Sequence, residues 1–143
     1  MRRFRSCTRR AAIVMLAATG AVAATRAKAA PEQHREFIAA AFRMKDEAVR
    51  SGDQPYGAVL VKQGRILGFG PSRVVLKKDL TAHAEREAMR EAQARLGTID
   101  LSGCLLYSTS HPCADCERAA ADANIARMYF GNVATAAGRP RRS

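Results

Sequence analysis

The sequence predicts an α/β domain built on a mixed sheet, with elements in the order αββαβαβ and helices on both faces. Three observations predict it. Apolar residues recur at helical spacing over residues 31–51, and two short apolar runs then flank a Gln-Gly turn. In the second half strand-like runs alternate with helix-like ones, which implies parallel crossovers.

Over residues 31–51, Phe37, Ala41, Met44 and Ala48 form an apolar stripe that Ile38, Phe42 and Val49 widen, the pattern of an amphipathic helix packed on a sheet. Gly52, Asp53 and Pro55 end it. The runs 57–62 and 65–69 flank Gln63-Gly64, which suits a hairpin whose second turn residue needs positive φ. Residues 70–79 read as a loop from their Gly, Pro, Ser and Lys content. Thr81 is expected to cap a helix running to about residue 97. In it Ala84, Ala88 and Ala92 make a narrow face for close approach to the sheet, while Arg86, Glu87, Arg90, Glu91 and Arg95 fall mostly on the wet side, with Glu91 and Arg95 paired at i,i+4. Residues 104–109 read as a third strand, Pro112 opens a third helix reaching about residue 124, and residues 127–130 read as a fourth strand. Cys104 is expected as a small core residue on its strand.

The 143 residues, 48% apolar and 26% charged, suit one small domain. The formal charge of +11 is unevenly placed: residues 1–29 carry seven Lys or Arg and no acid, leaving 17 basic and 13 acidic groups, a net of +4, for residues 30–143. Arg139, Arg141 and Arg142 lie in the last five residues, so the body is close to neutral and carries no broad electrostatic footprint for RNA or DNA. Residues 1–29 have the order of an export signal: Arg2, Arg3, Arg5, Arg9 and Arg10, then the apolar run 11–24, then Ala27-Lys28-Ala29 as a small-residue cleavage site. The run is shorter than the roughly 20 residues of a spanning helix, so cleavage near Ala29 with no stable membrane span is expected, and with it a periplasmic location. Thr8-Arg9-Arg10 also resembles a twin-arginine signal, which would export the chain already folded; the ordinary secretory route stays open beside it. The expected organisation is thus a signal at 1–29, a domain at 30–131 and a basic flexible tail at 132–143. Cys7 leaves with the signal. The remaining Cys104, Cys113 and Cys116 are odd in number and fit a metal better than a disulfide framework.

Two segments carry chemistry when taken together, His83-Ala84-Glu85 and Pro112-Cys113-Ala114-Asp115-Cys116. Each alone is weak. Cysteines at i,i+3 share one helical face, and a helix N-terminus favours thiolates, yet such a pair also serves redox proteins and structural zinc sites. Both segments open a helix after a strand or loop, so two helix N-termini can converge at one sheet edge. His83, Cys113 and Cys116 then offer zinc three ligands, and three protein ligands on a tetrahedral ion leave a position for water, the mark of a catalytic site. Glu85, two residues from His83, can take a proton from that water and deliver it to a substrate.

The pairing of His-x-Glu with Pro-Cys-x-x-Cys is the signature of zinc nucleobase deaminases. With Pro55-Tyr56-Gly57-Ala58-Val59-Leu60-Val61 and Asp79-Leu80-Thr81-Ala82 it makes the chain resemble the cytidine-deaminase-like superfamily over about residues 31–131, nearest in motif to guanine deaminases and bacterial tRNA adenosine deaminases. The resemblance implies a three-layer α/β/α fold, one Zn2+ per subunit, a homodimer or higher oligomer, and hydrolysis of an exocyclic amine on a nucleobase or nucleoside with release of ammonia. Glu85 would be catalytic; His83, Cys113 and Cys116 would hold the metal; Ser72, Ala84 and Tyr56 would contact substrate. Three departures touch the substrate side. Ser72 stands where these relatives carry an Asn, His111 stands where they carry Glu before Pro-Cys, and 27 residues follow Cys116 where relatives continue through a fifth strand and further helices. A ring at position 111 on the metal would close the site as Cys2His2. A tRNA adenosine deaminase is the alternative within the same chemistry, and a non-catalytic zinc or redox module the alternative outside it.

Overall fold

The computed structural model describes residues 30–142, and the expected export signal lies outside them. The chain runs α1 (Ala30–Arg50), β1 (Gly57–Lys62), β2 (Arg65–Pro71), α2 (Val74–Lys77), α3 (Ala84–Leu96), β3 (Leu105–Ser108), α4 (Ala114–Asp122), β4 (Arg127–Phe130) and β5 (Thr135–Gly138). The strands form one sheet in the order β2-β1-β3-β4-β5. Only β3 and β4 run parallel, joined through α4, and the other three neighbouring pairs are antiparallel. This is the mixed sheet that the alternation of runs predicts.

Side chains that alternate along the strands divide the core in two. Val59 and Val61 of β1 and Tyr107 of β3 face α1, where they pack with Phe37, Ile38 and Ala40. Ala58, Leu60, Leu106 and Met128 face the other way, onto Ala88 and Ala92 of α3 and Ala120 of α4. The molecule is therefore a three-layer α/β/α sandwich in which β1 is buried on both faces. Val49 is the exception in the α1 stripe: it is 52% exposed, outside the packed arc.

The alanine face of α3 meets glycines. A Cβ on Gly68 would lie 2.0 Å from the Ala88 carbonyl oxygen, and one on Gly70 would lie 2.0 Å from that of Ala84 and 2.6 Å from the Ala88 nitrogen. Here the helix rests backbone to backbone on β2, which fixes its height above the sheet. On the opposite face Gly57 approaches α1 in the same manner, with the Ala41 carbonyl oxygen 2.1 Å from where a Cβ would be.

Four local expectations are corrected, and that of the Gln63-Gly64 turn is borne out. The segment 70–79 is not all loop: β2 extends to Pro71 and a single turn, α2, follows, its amides capped by the Asp53 carboxylate from outside the segment. Thr81 does not cap α3, because its hydroxyl and amide both donate to Asp79 Oδ1, at 2.7 and 2.8 Å, and the N-cap falls on His83. Glu87 is 9% exposed rather than wet, held between Lys77 and Arg90, whereas the Glu91–Arg95 pair forms as expected at 2.9 Å. The Gln63-Gly64 turn has positive φ at both residues, 50° and 74°, the type I′ geometry that matches strand twist. The tail beyond residue 131 contributes β5, paired antiparallel with β4, and Arg141 and Arg142 lie against Glu117 and Asp122 of α4. Without a strong apolar run, Thr135–Gly138 gives no strand signal by itself; the open edge of β4 makes it one.

Gly70→Ala is expected to cost about 1–3 kcal/mol or more, because the backbone of α3 cannot yield as a side chain would. Urea unfolding should show the midpoint falling with its slope unchanged, and an unshifted midpoint would mean that α3 does not sit this close.

Candidate metal centre and active site

The sheet brings four segments to one edge. Because β1 runs antiparallel to β3, the start of β1 lies beside the end of β3: the Thr109 amide donates to Gly57 O at 2.9 Å, and the Gly57 amide donates to Thr109 Oγ1 at 3.2 Å. Residues 54–56, entering β1, thus face residues 110–113, leaving β3. The N-termini of α3 and α4 close the other sides.

Both helices begin on a donor. His83 is the N-cap of α3 and Cys113 the N-cap of α4, each in extended conformation, and the Cys116 amide donates to Cys113 Sγ at 3.5 Å. Neither His83 nor Cys113 is spent as an ordinary oxygen cap, so the first-turn amides leave a positive end pointing at the sulfurs. His83 Nδ1 lies 3.6 Å from Cys113 Sγ and 3.5 Å from Cys116 Sγ. A tetrahedral ion with bonds of about 2.1 Å to nitrogen and 2.3 Å to sulfur would hold those donors roughly 3.6 Å apart, so the set fits zinc in both chemistry and spacing. Among the described residues these three form the one cluster of His, Cys, Asp and Glu able to hold a metal. His111 stands outside it. Its Nδ1–H donates to Pro112 O at 2.9 Å and its ring meets Phe130 edge-on, 4.7 Å between centroids, so the closed Cys2His2 arrangement is not formed.

Glu85, in the first turn of α3, is 6% exposed, and its Oε2 lies 3.7 Å from Cys116 Sγ. Burial pushes its carboxyl above the usual carboxylate range, opposed by its own backbone amide and by His83. Burial, and then the neighbouring Glu85 charge, also pushes the Cys116 thiol far above its ordinary value. A dication held by the cluster would favour the ionised form of both.

A cavity of about 420 Å³ opens beside the cluster. His83, Ala84, Glu85 and Cys113 line it together with Gln54, Tyr56, Ser110 and His111. Tyr56 is 44% exposed at the rim. Ser72 does not line this cavity: it is fully buried, and its hydroxyl donates to Asp53 Oδ1 at 2.9 Å, so the substrate contact expected of it is replaced by an internal bond. Gln54 and Ser110 were not singled out by the sequence, since a polar residue in a loop carries no period or motif. Cys104 is buried in the core as expected, immediately before β3 rather than on it.

Residues 31–132 match the model of the cytidine and deoxycytidylate deaminase zinc-binding region. The chain belongs to this family. Its relatives include the tRNA-specific adenosine deaminase of Aquifex aeolicus, 40% identical over 94 residues that cover 66% of this chain and 62% of the relative. The guanine deaminase of Bacillus subtilis is 40% identical over 84 residues, 58% of this chain and 54% of the relative. The chain thus spans about six-tenths of the length of these curated relatives. Among solved structures, the guanine deaminase of Bacillus subtilis superposes with a TM-score of 0.66 at 36% identity, covering 68% of this chain and 63% of that one. A structure from work on A-to-I editing by tRNA:A34 deaminases superposes with a TM-score of 0.65 at 38% identity, covering 67% and 70%. The zinc-binding deaminase domain accounts for the fold and for the placing of His83, Cys113 and Cys116.

In the metal-free protein the sign of the Glu85 effect follows from its raised pKa. Such a carboxyl favours folding below its unfolded pKa and loses that contribution as pH rises through its folded value. Glu85→Gln, neutral throughout, is therefore expected to be more stable than metal-free wild type at about pH 7, with the difference vanishing near about pH 4. Urea midpoints at the two pH values test this; a glutamine variant less stable at neutral pH would contradict it.

Proposed function

We propose that this domain is a zinc-dependent hydrolytic deaminase: it replaces an exocyclic amine of a nucleobase or nucleoside with a carbonyl oxygen, consuming one water and releasing ammonia. The observation that carries this reading is a buried carboxylate, Glu85, in the wall of the same cavity as the three-donor cluster. Zinc held by His83, Cys113 and Cys116 supplies, when bound, the Lewis acidity that makes water nucleophilic near neutral pH. The Glu85 carboxylate takes one proton from the attacking water and passes it to the ring nitrogen, then takes the second from the hydroxyl so added and passes it to the departing amine as the C–N bond breaks and the carbonyl forms. Its burial suits the task, because a carboxyl with a raised pKa holds the proton between the two transfers. The rings of Tyr56 and His111 suit a flat heteroaromatic substrate, Gln54 and Ser110 offer it donors and acceptors, and the small side chain of Ala84 leaves it room.

A free base or nucleoside is favoured by the near-neutral body of the domain. A tRNA substrate is the second reading, and the likeness to the Aquifex aeolicus enzyme favours it. A homodimer also belongs to the proposal. Leu80 and Ile99, 84% and 82% exposed, flank a groove of about 520 Å³ between α3 and α4 that reaches His83, and a second copy would cover them. Export rests on the residue order of 1–29 alone.

Purified wild type and Glu85→Ala are both expected to hold one zinc per chain, while ammonia release from a panel of guanine, cytosine, adenine, their nucleosides and a tRNA anticodon stem-loop falls by about 100-fold or more in the variant. Equal turnover would remove Glu85 from the chemistry. A protein with no zinc and a Cys113–Cys116 disulfide would overturn the deaminase reading as a whole. Light scattering and N-terminal sequencing of the secreted protein should give twice the chain mass and a start near Ala30; a monomer, or an intact Met1, would remove the dimer or the signal respectively.

A further inference from the structure

Asp53 lies where α1 has ended and β1 has yet to begin, and it is 9% exposed. Its two carboxylate oxygens accept four hydrogen bonds. Oδ1 accepts from the Gln54 amide at 2.8 Å and Ser72 Oγ at 2.9 Å; Oδ2 accepts from the amides of Val75 and Leu76 at 3.0 and 2.9 Å. Burial alone would raise its pKa, but these four donors outweigh it and hold the carboxyl below the usual carboxylate range. The acid thus caps α2 from outside, where the N-cap residue Arg73 offers no side-chain bond.

Two further links leave this knot in opposite directions. The Ser72 amide donates to Tyr56 O at 3.0 Å, tying the knot to the segment that carries Gln54 and Tyr56. The Arg73 amide donates to Ala82 O at 3.0 Å, and the Ala82 amide donates to Asp79 O at 3.0 Å, tying it to the residue before His83. Gln54 and Tyr56 line the same cavity as His83, Ala84 and Glu85. We propose that Asp53 is a positioning residue, which through Ser72 and α2 holds the substrate-facing segment 54–56 at a fixed separation from the metal-binding start of α3. It touches neither substrate nor metal. Only the kinetic part of the proposal rests on the deaminase reading.

Asparagine at this site keeps the shape and spoils the bonding. If its amino group faced α2, the Val75 and Leu76 amides would both lose their acceptor; if it faced the other way, the Gln54 amide would lose its own. In the zinc-loaded full chain, Asp53→Asn is expected to speed amide hydrogen exchange by about tenfold or more in residues 54–56 and 82–85, with β3 unchanged. KM for the base identified by ammonia release should rise about tenfold while zinc content stays at one per chain, since small displacements of a wall weaken substrate alignment. Faster exchange confined to Val75 and Leu76 would reduce Asp53 to a helix cap and overturn the proposal. If wild type turned over no base at all, the deaminase reading would fail, and the exchange pattern would still decide the role of Asp53. Should Asp53→Asn not fold, Ser72→Ala removes one of the four bonds and leaves the backbone links. It is expected to speed exchange several-fold in residues 54–56, and no change there would equally overturn the link.

Discussion

Gly68 and Gly70 leave nothing between the backbone of β2 and that of α3, and this contact sets the geometry of everything above it. A helix that rested on side chains would stand further from the sheet, and His83 and Glu85, its N-cap and first-turn residue, would be carried away from the cysteines on α4. Alanine at 84, 88 and 92 completes the arrangement from the helix side. Close packing of this kind has little slack, because the groups in contact are backbone atoms fixed by their own hydrogen-bond ladders. The distances of 3.5 and 3.6 Å from His83 to the two sulfurs are therefore a consequence of how α3 is seated.

Given that seat, the charge balance of the site follows. Cys116 and Glu85 are buried next to each other; burial raises the pKa of both, and the Glu85 charge raises that of the thiol further, while the thiol's hydrogen bond eases the ionisation of Glu85. Helix N-termini offset part of that cost, since the free amides of the first turns of α3 and α4 present partial positive charge to the donors. The donor types and their spacing suit zinc better than harder ions. The same burial raises the affinity of Glu85 for a proton, the property on which its proposed role as a shuttle rests.

Much of this was legible in the residues. The α1 stripe, the β1–β2 hairpin and the alternation of the second half predict the elements because buried faces impose their periods directly on the chain. The zinc ligands and Glu85 were legible because two short motifs each keep their partners within one helical turn. What escaped was whatever depends on a neighbour distant in sequence. Asp53 reads as a helix terminator, α2 as loop, Thr135–Gly138 as tail, and Ser72 as a substrate contact, since none of them announces the group it will bond across the fold.

The sequence by itself determined the identity of the donors and the order of the layers, because those follow from residue types and from periods within single elements. Only the tertiary structure decided that Ser72 turns inward to Asp53, that His111 packs on Phe130 outside the donor cluster, and that Gln54 and Ser110 line the same cavity as Glu85. Those outcomes depend on which segments the antiparallel pairing of β1 with β3 brings to the same edge of the sheet, and that pairing joins residues about fifty positions apart.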